Sequence, residues 1–459
     1  MTHKVATMLV IALALAVCAT GAERPAPAEF VVGRARVDIT PPLGTGLAGY
    51  FHERVAESVR DKLYARAVAI KADDPGIAIV SCDLICVTEE LVGAARELIQ
   101  ADTGLQPERV MICATHTHTG PEVRDSGSVR RDEAYVAGLP RKIADAVKAA
   151  AESAVPATLR CGTTQLTGYS FNRLFRLKDG TEVFGRRKGE LGTAGPIEPE
   201  LQTLSAVDRG GNLIALMVNF ALHPDVIGGG SADFISADWP GMVGDNIAKV
   251  YGEDVVTLLL QGTCGDINHV VHEPTALPTR GPAKAMQIGR AVAGAAMVAA
   301  ERAEPTTSGR LDVLNRTLDV PYYTRDEKFM DEIAELKKKE KLTNFERSLV
   351  RRGENWPYDN QVAKVPLQAF RIGDVSLVAL PAEIFARIGM EIKEWSPTER
   401  TLVVELANAR VTNYIPTTNQ AERGAYGAKP IISRWLCSDA ARRIADAAMV
   451  MLHELNDAP

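Results

Sequence analysis

The sequence has no long run of charges of one sign, and this absence limits the partners that it can bind. Across 459 residues the formal charge is only −6, and no run of five or six like charges occurs. Nucleic acids and anionic membrane surfaces attract concentrated positive charge, so both are poor candidate partners. Hydrophobic residues make up 46% and charged residues 24%. This ordinary globular composition is sufficient to bury a sizeable core.

Two other patterns are also missing. The cysteines are scattered without paired metal-ligand spacing, so we expect most of them to be buried and at most one or two disulfides to form. The glycine-rich loop 44–49 has neither a GxGxxG spacing nor the lysine of a P-loop, which argues against phosphate binding. We interpret this loop as a turn that brings backbone close to a ligand or a neighbouring strand.

One apolar run, Met8–Val17, lies near the N terminus and is too short to span a bilayer comfortably. Lys4 precedes it and small residues follow it, which predicts a secretory signal peptide over residues 1–22. Cys18 offers a lipoprotein alternative, but Val17 is larger than a lipidation site normally tolerates, so we favour simple export to the periplasm or the extracellular space. No internal repeat is visible, and we predict a linker over 23–29 and one catalytic domain over 30–456.

The order of the predicted elements indicates an α/β fold. A strand, a helix and a strand over residues 77–114 favour a parallel pair, and Asp208–Asn212 has the composition of a hairpin turn. A helix is expected from Glu383, and the charged stretch from Asp326 to Arg352 is interpreted as a solvated excursion or lid. We therefore predict a single large domain of mixed β-sheets flanked by helices, with the active site at the C-terminal ends of strands.

The most informative segment is RVMICATHTHTGP, residues 109–121, where a short apolar run ends in two histidines. In an extended backbone, residues i and i+2 point to the same side, so His116 and His118 could face one cavity. Loop histidines that hydrogen-bond nearby backbone are an equally good interpretation of this spacing alone.

Candidate metal ligands follow three predicted strands: His116, His223 and Glu383. Two histidines and a carboxylate are a sufficient protein set for catalytic zinc, which also needs an open position. Because these residues are far apart in sequence, the pattern is weak by itself. Four other histidines would fill the ligand list equally well: His52, His269, His272 and His453.

The segments ATHTHTGP, NFALHP, PAE and NYIPTTNQAERGAY resemble the catalytic domain of the neutral/alkaline ceramidase family. The resemblance extends over about residues 30 to 435, and its motifs occur in the order found in the family. It implies a secreted or surface zinc amidase that hydrolyses the amide bond of N-acylsphingosine, with one zinc ion per chain. The implied partners are a small-molecule or lipid amide substrate and, at most, a peripheral membrane contact.

The resemblance also implies roles for individual residues. His116, His223, Glu383 and Tyr414 would ligate the zinc, and His118 would handle protons. Arg173 and Tyr426 would polarise the scissile carbonyl or bind the developing oxyanion. The residues leave one alternative open for each of two assignments. Tyr414 could be a loop tyrosine that packs on the site, and Arg173 could form an ion pair at the surface.

The sequence departs from the family at residues 264–270, CGDINHV, where Asn268 replaces a serine. Asparagine can donate a hydrogen bond to an oxyanion but cannot act as a nucleophile, which leaves direct attack by zinc-bound water. The immunoglobulin-like C-terminal domain of the family is also not seen, so the substrate stays open. The alternatives are a zinc esterase, a lactonase, an amidase acting on a polar carbohydrate or cell-wall derivative, and a non-catalytic binding protein.

Several aspartates near predicted strand ends could build a structural divalent-cation site, although capping and turn roles are common for such residues. These residues are Asp38, Asp83, Asp233, Asp238 and Asp266.

Overall fold

The computed structural model describes residues 26–50, 52–125, 129–185, 189–270, 278–423 and 427–457. Its strands are β1 Glu29–Asp38, β2 Ser58–Val59, β3 Tyr64–Lys71, β4 Ile77–Cys82, β5 Val110–Ala114, β6 Val155–Gln165, β7 Phe171–Asn172, β8 Leu174–Leu177, β9 Glu182–Phe184, β10 Glu190–Thr193, β11 Glu200–Asp208, β12 Leu213–Phe220, β13 Phe234–Ile235, β14 Val256–Gln261, β15 Ile267–Asn268, β16 Glu304–Pro305, β17 Leu311–Pro321, β18 Val362–Ile372, β19 Val375–Ala379, β20 Glu383–Ile384, β21 Thr401–Val404 and β22 Tyr414–Ile415. Its α-helices are α1 Glu89–Thr103, α2 Glu133–Glu152, α3 Asp238–Tyr251, α4 Pro282–Glu301, α5 Glu327–Lys337, α6 Asn344–Glu354, α7 Ala386–Glu394, α8 Thr418–Glu422 and α9 Ala440–Asp457.

The main sheet has the strand order β14-β12-β11-β6-β1-β3-β4-β5, with β16 paired to β6. The pairs β4–β5 and β12–β14 are parallel, and the pairs between them are antiparallel. The predicted parallel pair over residues 77–114 and the predicted hairpin at residues 208–212 are both confirmed. The predicted fold class, mixed sheets flanked by helices, is confirmed as well.

The chain packs in four layers because both faces of the main sheet are apolar. Along β4, alternate side chains belong to different cores: Val80 packs with α1 and α2, whereas Ile79 packs with the second sheet. That second sheet has the order β17-β18-β19-β21, and its other face is covered by α7 and α9. The layers are therefore helix, sheet, sheet and helix. Continuous apolar strands such as β4 are typical of a sheet that is covered on both faces.

The segment 405–408, directly after β21, links the two far ends of the main sheet. The Glu405 backbone N–H donates to the Gln261 carbonyl at the end of β14, 2.9 Å away. The Asn408 backbone N–H donates to the Ile112 carbonyl in β5, 2.8 Å away. Because strands in a sheet are rotated by about 20–25° per step, the rotation accumulated over many strands brings such ends together. The loops that follow β5, β14 and β21 consequently meet in one place.

Two sequence-based predictions need correction. The stretch from Asp326 to Arg352 is not a solvated excursion, because α5 and α6 bury a shared apolar face that includes Phe329, Ile333 and Leu349. The helix expected from Glu383 begins only at Ala386. Glu383 itself lies in the short strand β20, which pairs in parallel with β22.

The six cysteines of the described ranges are free thiols, and five of them are buried. Within these ranges, no helix combines the length and the apolar character that crossing a membrane requires. The predicted signal peptide over residues 1–22 lies outside the described residues and stays a prediction.

Candidate metal centre

Three imidazoles meet where the loops after β5 and β12 converge. The Nε2 atoms of His116 and His223 are 3.0 Å apart, and His118 Nε2 lies 3.4 Å from the first and 3.2 Å from the second. The Glu383 carboxylate joins them, with Oε2 3.3 Å from His116 Nε2 and 3.8 Å from His223 Nε2. The structure therefore brings together the three candidate ligands His116, His223 and Glu383, and it adds His118 at the same distance.

Backbone carbonyls orient two of the rings. His116 Nδ1 lies 2.6 Å from the Ile85 carbonyl oxygen, and His223 Nδ1 lies 3.3 Å from the Cys264 carbonyl oxygen. Since a carbonyl can only accept, each Nδ1 is the donor, and Nε2 presents its lone pair to the cluster. The backbone of His116 is not extended as the sequence argument assumed, because its φ is +73°. A left-handed conformation at a residue other than glycine is costly and is typical of functional sites.

His118 is positioned by the glycine-rich loop. Gly49, with φ +104°, leaves room for the imidazole, since a Cβ there would lie 2.5 Å from His118 Nδ1. The Arg54 guanidinium donates to the His118 carbonyl oxygen at 2.8 Å, and its charge lies over the Tyr50 ring. Tyr50 in turn meets the His118 imidazole edge-on, with ring centroids 5.6 Å apart. The loop expected to approach a ligand or a strand thus packs against a site histidine.

Glu383 and Tyr414 are brought together by strand pairing. They are register partners in the β20–β22 ladder, and Tyr414 hydrogen-bonds the Glu383 carboxylate. Gly427, with φ +75°, allows backbone to lie against the Tyr414 ring, because a Cβ there would be 2.7 Å from ring carbon. The side chain of Tyr414 therefore lies beside the cluster, and its role as a ligand stays a prediction.

The donor set fits a zinc ion. Tetrahedral zinc with Zn–N distances of about 2.0–2.1 Å separates its ligand nitrogens by about 3.3 Å, close to the spacings seen here. Burial lowers the pKa of His118 to about 3 and holds the pKa of His223 well below its ordinary value, so both rings are neutral. Glu383 Oε2 is buried without a hydrogen-bond partner. Imidazole lone pairs that face a carboxylate oxygen without a hydrogen-bond donor are electrostatically unfavourable in the absence of a cation. A bound cation makes the same arrangement favourable.

A second cluster surrounds Asp225, two residues after His223. His269 Nδ1 donates to Asp225 Oδ1 at 3.2 Å, and Asn268 Nδ2 donates to Oδ2 at 3.3 Å. The guanidinium of Arg173 lies 3.8 Å from the same carboxylate. The pairing of β7 with β15 holds the segments that carry Arg173 and Asn268 side by side.

The remaining predicted site residues are distributed as follows. Tyr426 and His272 lie outside the described residues. His52 and His453 are exposed, and their Nε2 atoms contact the backbone carbonyls of Gly230 and Trp395. The five aspartates do not assemble into a cation site, and within the described ranges only the three histidines form a group of metal-ligating side chains. Asp266, for example, accepts hydrogen bonds from the Ala386 backbone N–H and from the side chains of Asn172 and Gln420. These bonds hold neighbouring loops together.

Sequence reasoning missed two acidic residues at this site. Asp225 has the same i, i+2 spacing from His223 that drew attention to His116 and His118, and that spacing could have revealed it. Glu405 accepts hydrogen bonds from Cys264 Sγ at 3.0 Å and from the Ile384 backbone N–H at 2.6 Å. No local signal identifies Glu405, because its partners come from other loops.

Comparison with known proteins finds a family model that matches the part of the chain that carries three of these histidines. The family model described as neutral/alkaline non-lysosomal ceramidase, N-terminal, matches residues 30–249. The predicted resemblance to the neutral/alkaline ceramidases is confirmed. The matched range includes His116, His118, Arg173 and His223.

Solved ceramidase structures share the fold. The neutral ceramidase from Pseudomonas aeruginosa is 20% identical, with a TM-score of 0.74 over 94% of this chain and 75% of that chain. A ceramidase complexed with C2 is 19% identical, with a TM-score of 0.74 over 94% of this chain and 76% of that chain. A search of the curated proteins found no match. The solved structures show the shared fold, and the family match over residues 30–249 supports a ceramidase-like hydrolase.

Proposed function

We propose that this chain is an exported, zinc-dependent hydrolase that cleaves a carbon–nitrogen amide bond, in N-acylsphingosine or a related N-acyl compound. The observation that carries the proposal is the convergence of three imidazole Nε2 atoms within 3.0–3.4 Å, with Glu383 Oε2 3.3 Å from His116 Nε2. Export rests on the sequence of residues 1–22 and is part of the proposal.

His116, His223 and Glu383, with Tyr414 beside them, would hold the zinc. A bound zinc ion supplies Lewis acidity that activates water and polarises a carbonyl. The ring tautomers fixed by the Ile85 and Cys264 carbonyls keep both Nε2 lone pairs available for it.

The other residues act on the substrate and on protons. His118 Nε2 lies at the cluster, where an imidazole can accept a proton from the attacking water and return it to the leaving nitrogen. Arg173 lies on the Asp225 side of the cluster, where a guanidinium can donate to the oxyanion that develops on the carbonyl oxygen. Asn268 donates to Asp225 and accepts from the Val270 backbone N–H at 3.1 Å. Because its side chain already has these partners, its first role is to hold Asp225 in place, and binding the oxyanion is secondary.

A second candidate function is hydrolysis of a polar carbohydrate or cell-wall derivative by the same centre. It is favoured by the ionic cluster of Asp225, His269 and Arg173 beside the histidines, since polar side chains in a site select polar substrates.

The test is metal analysis of the purified mature protein, paired with hydrolysis assays on N-acyl lipids, simple N-acyl amines and the corresponding esters. Expected is about one zinc ion per chain. Each of His116→Ala, His223→Ala and Glu383→Ala should lose zinc and activity together, because each removes a ligand. His453→Ala, which removes an exposed histidine on α9, is the matched control and should keep both.

Two results would contradict the proposal. A protein that folds normally yet holds no zinc would favour the binding-protein alternative. A zinc protein that cleaves esters but no amide would favour the esterase or lactonase alternative.

A further inference from the structure

The loop after β21 places an arginine beside the candidate metal centre. The Arg410 guanidinium donates to the side-chain oxygen of Asn413. The Asn413 carbonyl accepts from the Glu383 backbone N–H at 2.9 Å. The next residue along the loop, Tyr414, hydrogen-bonds the Glu383 carboxylate. Arg410 is therefore connected to the carboxylate side of the centre through one intervening residue.

The positive charge of Arg410 has no carboxylate of its own. Its hydrogen-bond and cation–π contacts among the described residues are with two neutral groups, the Asn413 oxygen and an indole ring. The carboxylates whose charge reaches it are Glu122 and Glu383. Both Glu122 oxygens already lie 2.7 Å from nitrogens of Arg124, and Glu383 faces the proposed zinc. One guanidinium charge is therefore left without a matching negative charge.

The indole that packs on this arginine also lacks an acceptor. The Arg410 guanidinium lies 4.7 Å from the centroid of the Trp435 ring. The Trp435 backbone N–H donates to Thr412 Oγ1 at 2.9 Å. In contrast, the indole Nε1 is buried and has no hydrogen-bond partner among the described residues. Because an unpaired buried donor is costly, the guanidinium and the indole together require an acceptor that the described protein does not supply.

Solvent can reach this part of the centre. Arg410 and Trp435 are both partly exposed. The Glu383 side chain is 11% exposed, whereas the side chains of His116 and His223 are 3% and 0% exposed. Of these three candidate ligands, the most accessible is therefore the carboxylate to which Arg410 is connected. A molecule that approaches the centre past Glu383 meets the guanidinium and the indole.

The surroundings decide which kind of ligand group fits. One unmatched positive charge and one neutral N–H donor suit an acceptor that carries a single negative charge. A carboxylate has this charge, and its planar shape matches the donor edge of a guanidinium. A cationic group would be repelled by Arg410 and by a bound zinc ion.

We propose that Arg410 and Trp435 form a subsite that binds a carboxylate carried by the substrate. The favoured substrates are then N-acyl amino acids and related anionic amides. This inference rests on the proposed function and names a substrate class for the same centre.

The test compares two amides of matched shape. N-octanoylglycine carries a carboxylate, and N-octanoyl-isobutylamine has two methyl groups in place of the carboxylate oxygens. Wild-type protein should prefer N-octanoylglycine in kcat/KM by about 10- to 100-fold, as expected for hydrogen bonds to a charged group. Arg410→Gln should lose most of that preference, through the anionic substrate alone, and should keep its zinc.

The matched control is Arg36→Gln. It removes another guanidinium that lies over an aromatic ring, that of Tyr64, but at an exposed position on β1. Because the change in net charge is the same, this variant should keep the preference if the effect of Arg410 is local.

Each other outcome has a definite meaning. If Arg410→Gln lowers kcat/KM equally for both amides, or if wild type shows no preference, the inference is wrong. If Arg410→Gln fails to fold, Trp435→Phe decides, because it keeps an aromatic face for the guanidinium and removes only the unpaired N–H. This variant should reduce the preference, and an unchanged preference would overturn the inference.

Failure of the proposed function gives a different result. If wild type cleaves neither amide, calorimetry of N-octanoylglycine binding decides the inference by itself. Tighter binding than that of N-octanoyl-isobutylamine, lost in Arg410→Gln, would support the subsite, and equal binding of the two compounds would overturn it.

Discussion

Two carboxylates flank the histidine cluster, and the protein holds them in opposite ways. Glu383 Oε2 has no hydrogen-bond partner and faces imidazole nitrogens 3.3 and 3.8 Å away. Asp225 is held by His269 and Asn268 and keeps an exposed edge. A buried carboxylate oxygen that lacks a donor is suited to a cation, whereas the Asp225 carboxylate already accepts hydrogen bonds from protein donors. The contrast separates the proposed metal side of the site, at Glu383, from the proposed substrate side, at Asp225 and Arg173.

The largest expected effect is on the metal side. Glu383→Gln should reduce activity about 1000-fold and lower zinc content, because an amide is a poor ligand and several kcal/mol of transition-state stabilisation depend on the metal. Asp225→Asn should leave zinc content unchanged. Zinc titration of both variants under the same conditions tests the pair. Equal loss of zinc in the two would show that the two carboxylates share one role.

A smaller effect is expected on the substrate side. Arg173→Ala should lower kcat by about 100- to 1000-fold with zinc retained, as when one donor to a developing oxyanion is removed. Arg173→Lys keeps the charge without the planar fork and should recover part of the loss. Steady-state kinetics with metal analysis measures both. If Arg173→Ala instead raises KM and leaves kcat unchanged, Arg173 contributes only to substrate binding.

The smallest effect on activity is expected for Glu405, which accepts hydrogen bonds from Cys264 and the Ile384 backbone. Burial raises the pKa of Glu405 well above its ordinary value, so the folded protein keeps a proton that the unfolded chain releases. Wild-type stability should therefore fall as pH rises above about 4.5, by up to about 1.4 kcal/mol per pH unit from this group. Glu405→Gln removes the titrating group, so its stability should depend less on pH while its zinc content is unchanged.

Urea unfolding of the zinc-loaded proteins between pH 5 and pH 8 measures the difference. Glu399→Gln, an exposed substitution, is the control and should follow the wild type. A Glu405→Gln variant that loses stability in parallel with wild type as pH rises would show that this carboxyl is ionised in the fold.

Local pattern was enough to predict the elements that carry the histidines. The apolar run before His116 and the hairpin turn before the strand of His223 are strong local signals, and both strands are where the sequence indicated. The prediction failed for α5 and α6, because their apolar positions are separated by many charges. These positions pack on each other, on Trp356 and on Ile431 and Ile432. The prediction also failed for the start of α7, because Glu383 pairs with Tyr414 and therefore adopts a strand conformation.

The sequence by itself determined the strands that present the candidate ligands and the family resemblance, because each depends on residues close together in the chain. Only the tertiary structure decided that His118 lies as near the cluster as the other histidines and that Asp225 opens beside Arg173. The site is assembled from loops after β5, β12, β14 and β19, and the segment 405–408 fixes the distances between them. Those distances depend on the twist of the main sheet, which brings its strand ends together. The twist results from many strand pairings, so a local sequence pattern cannot predict it.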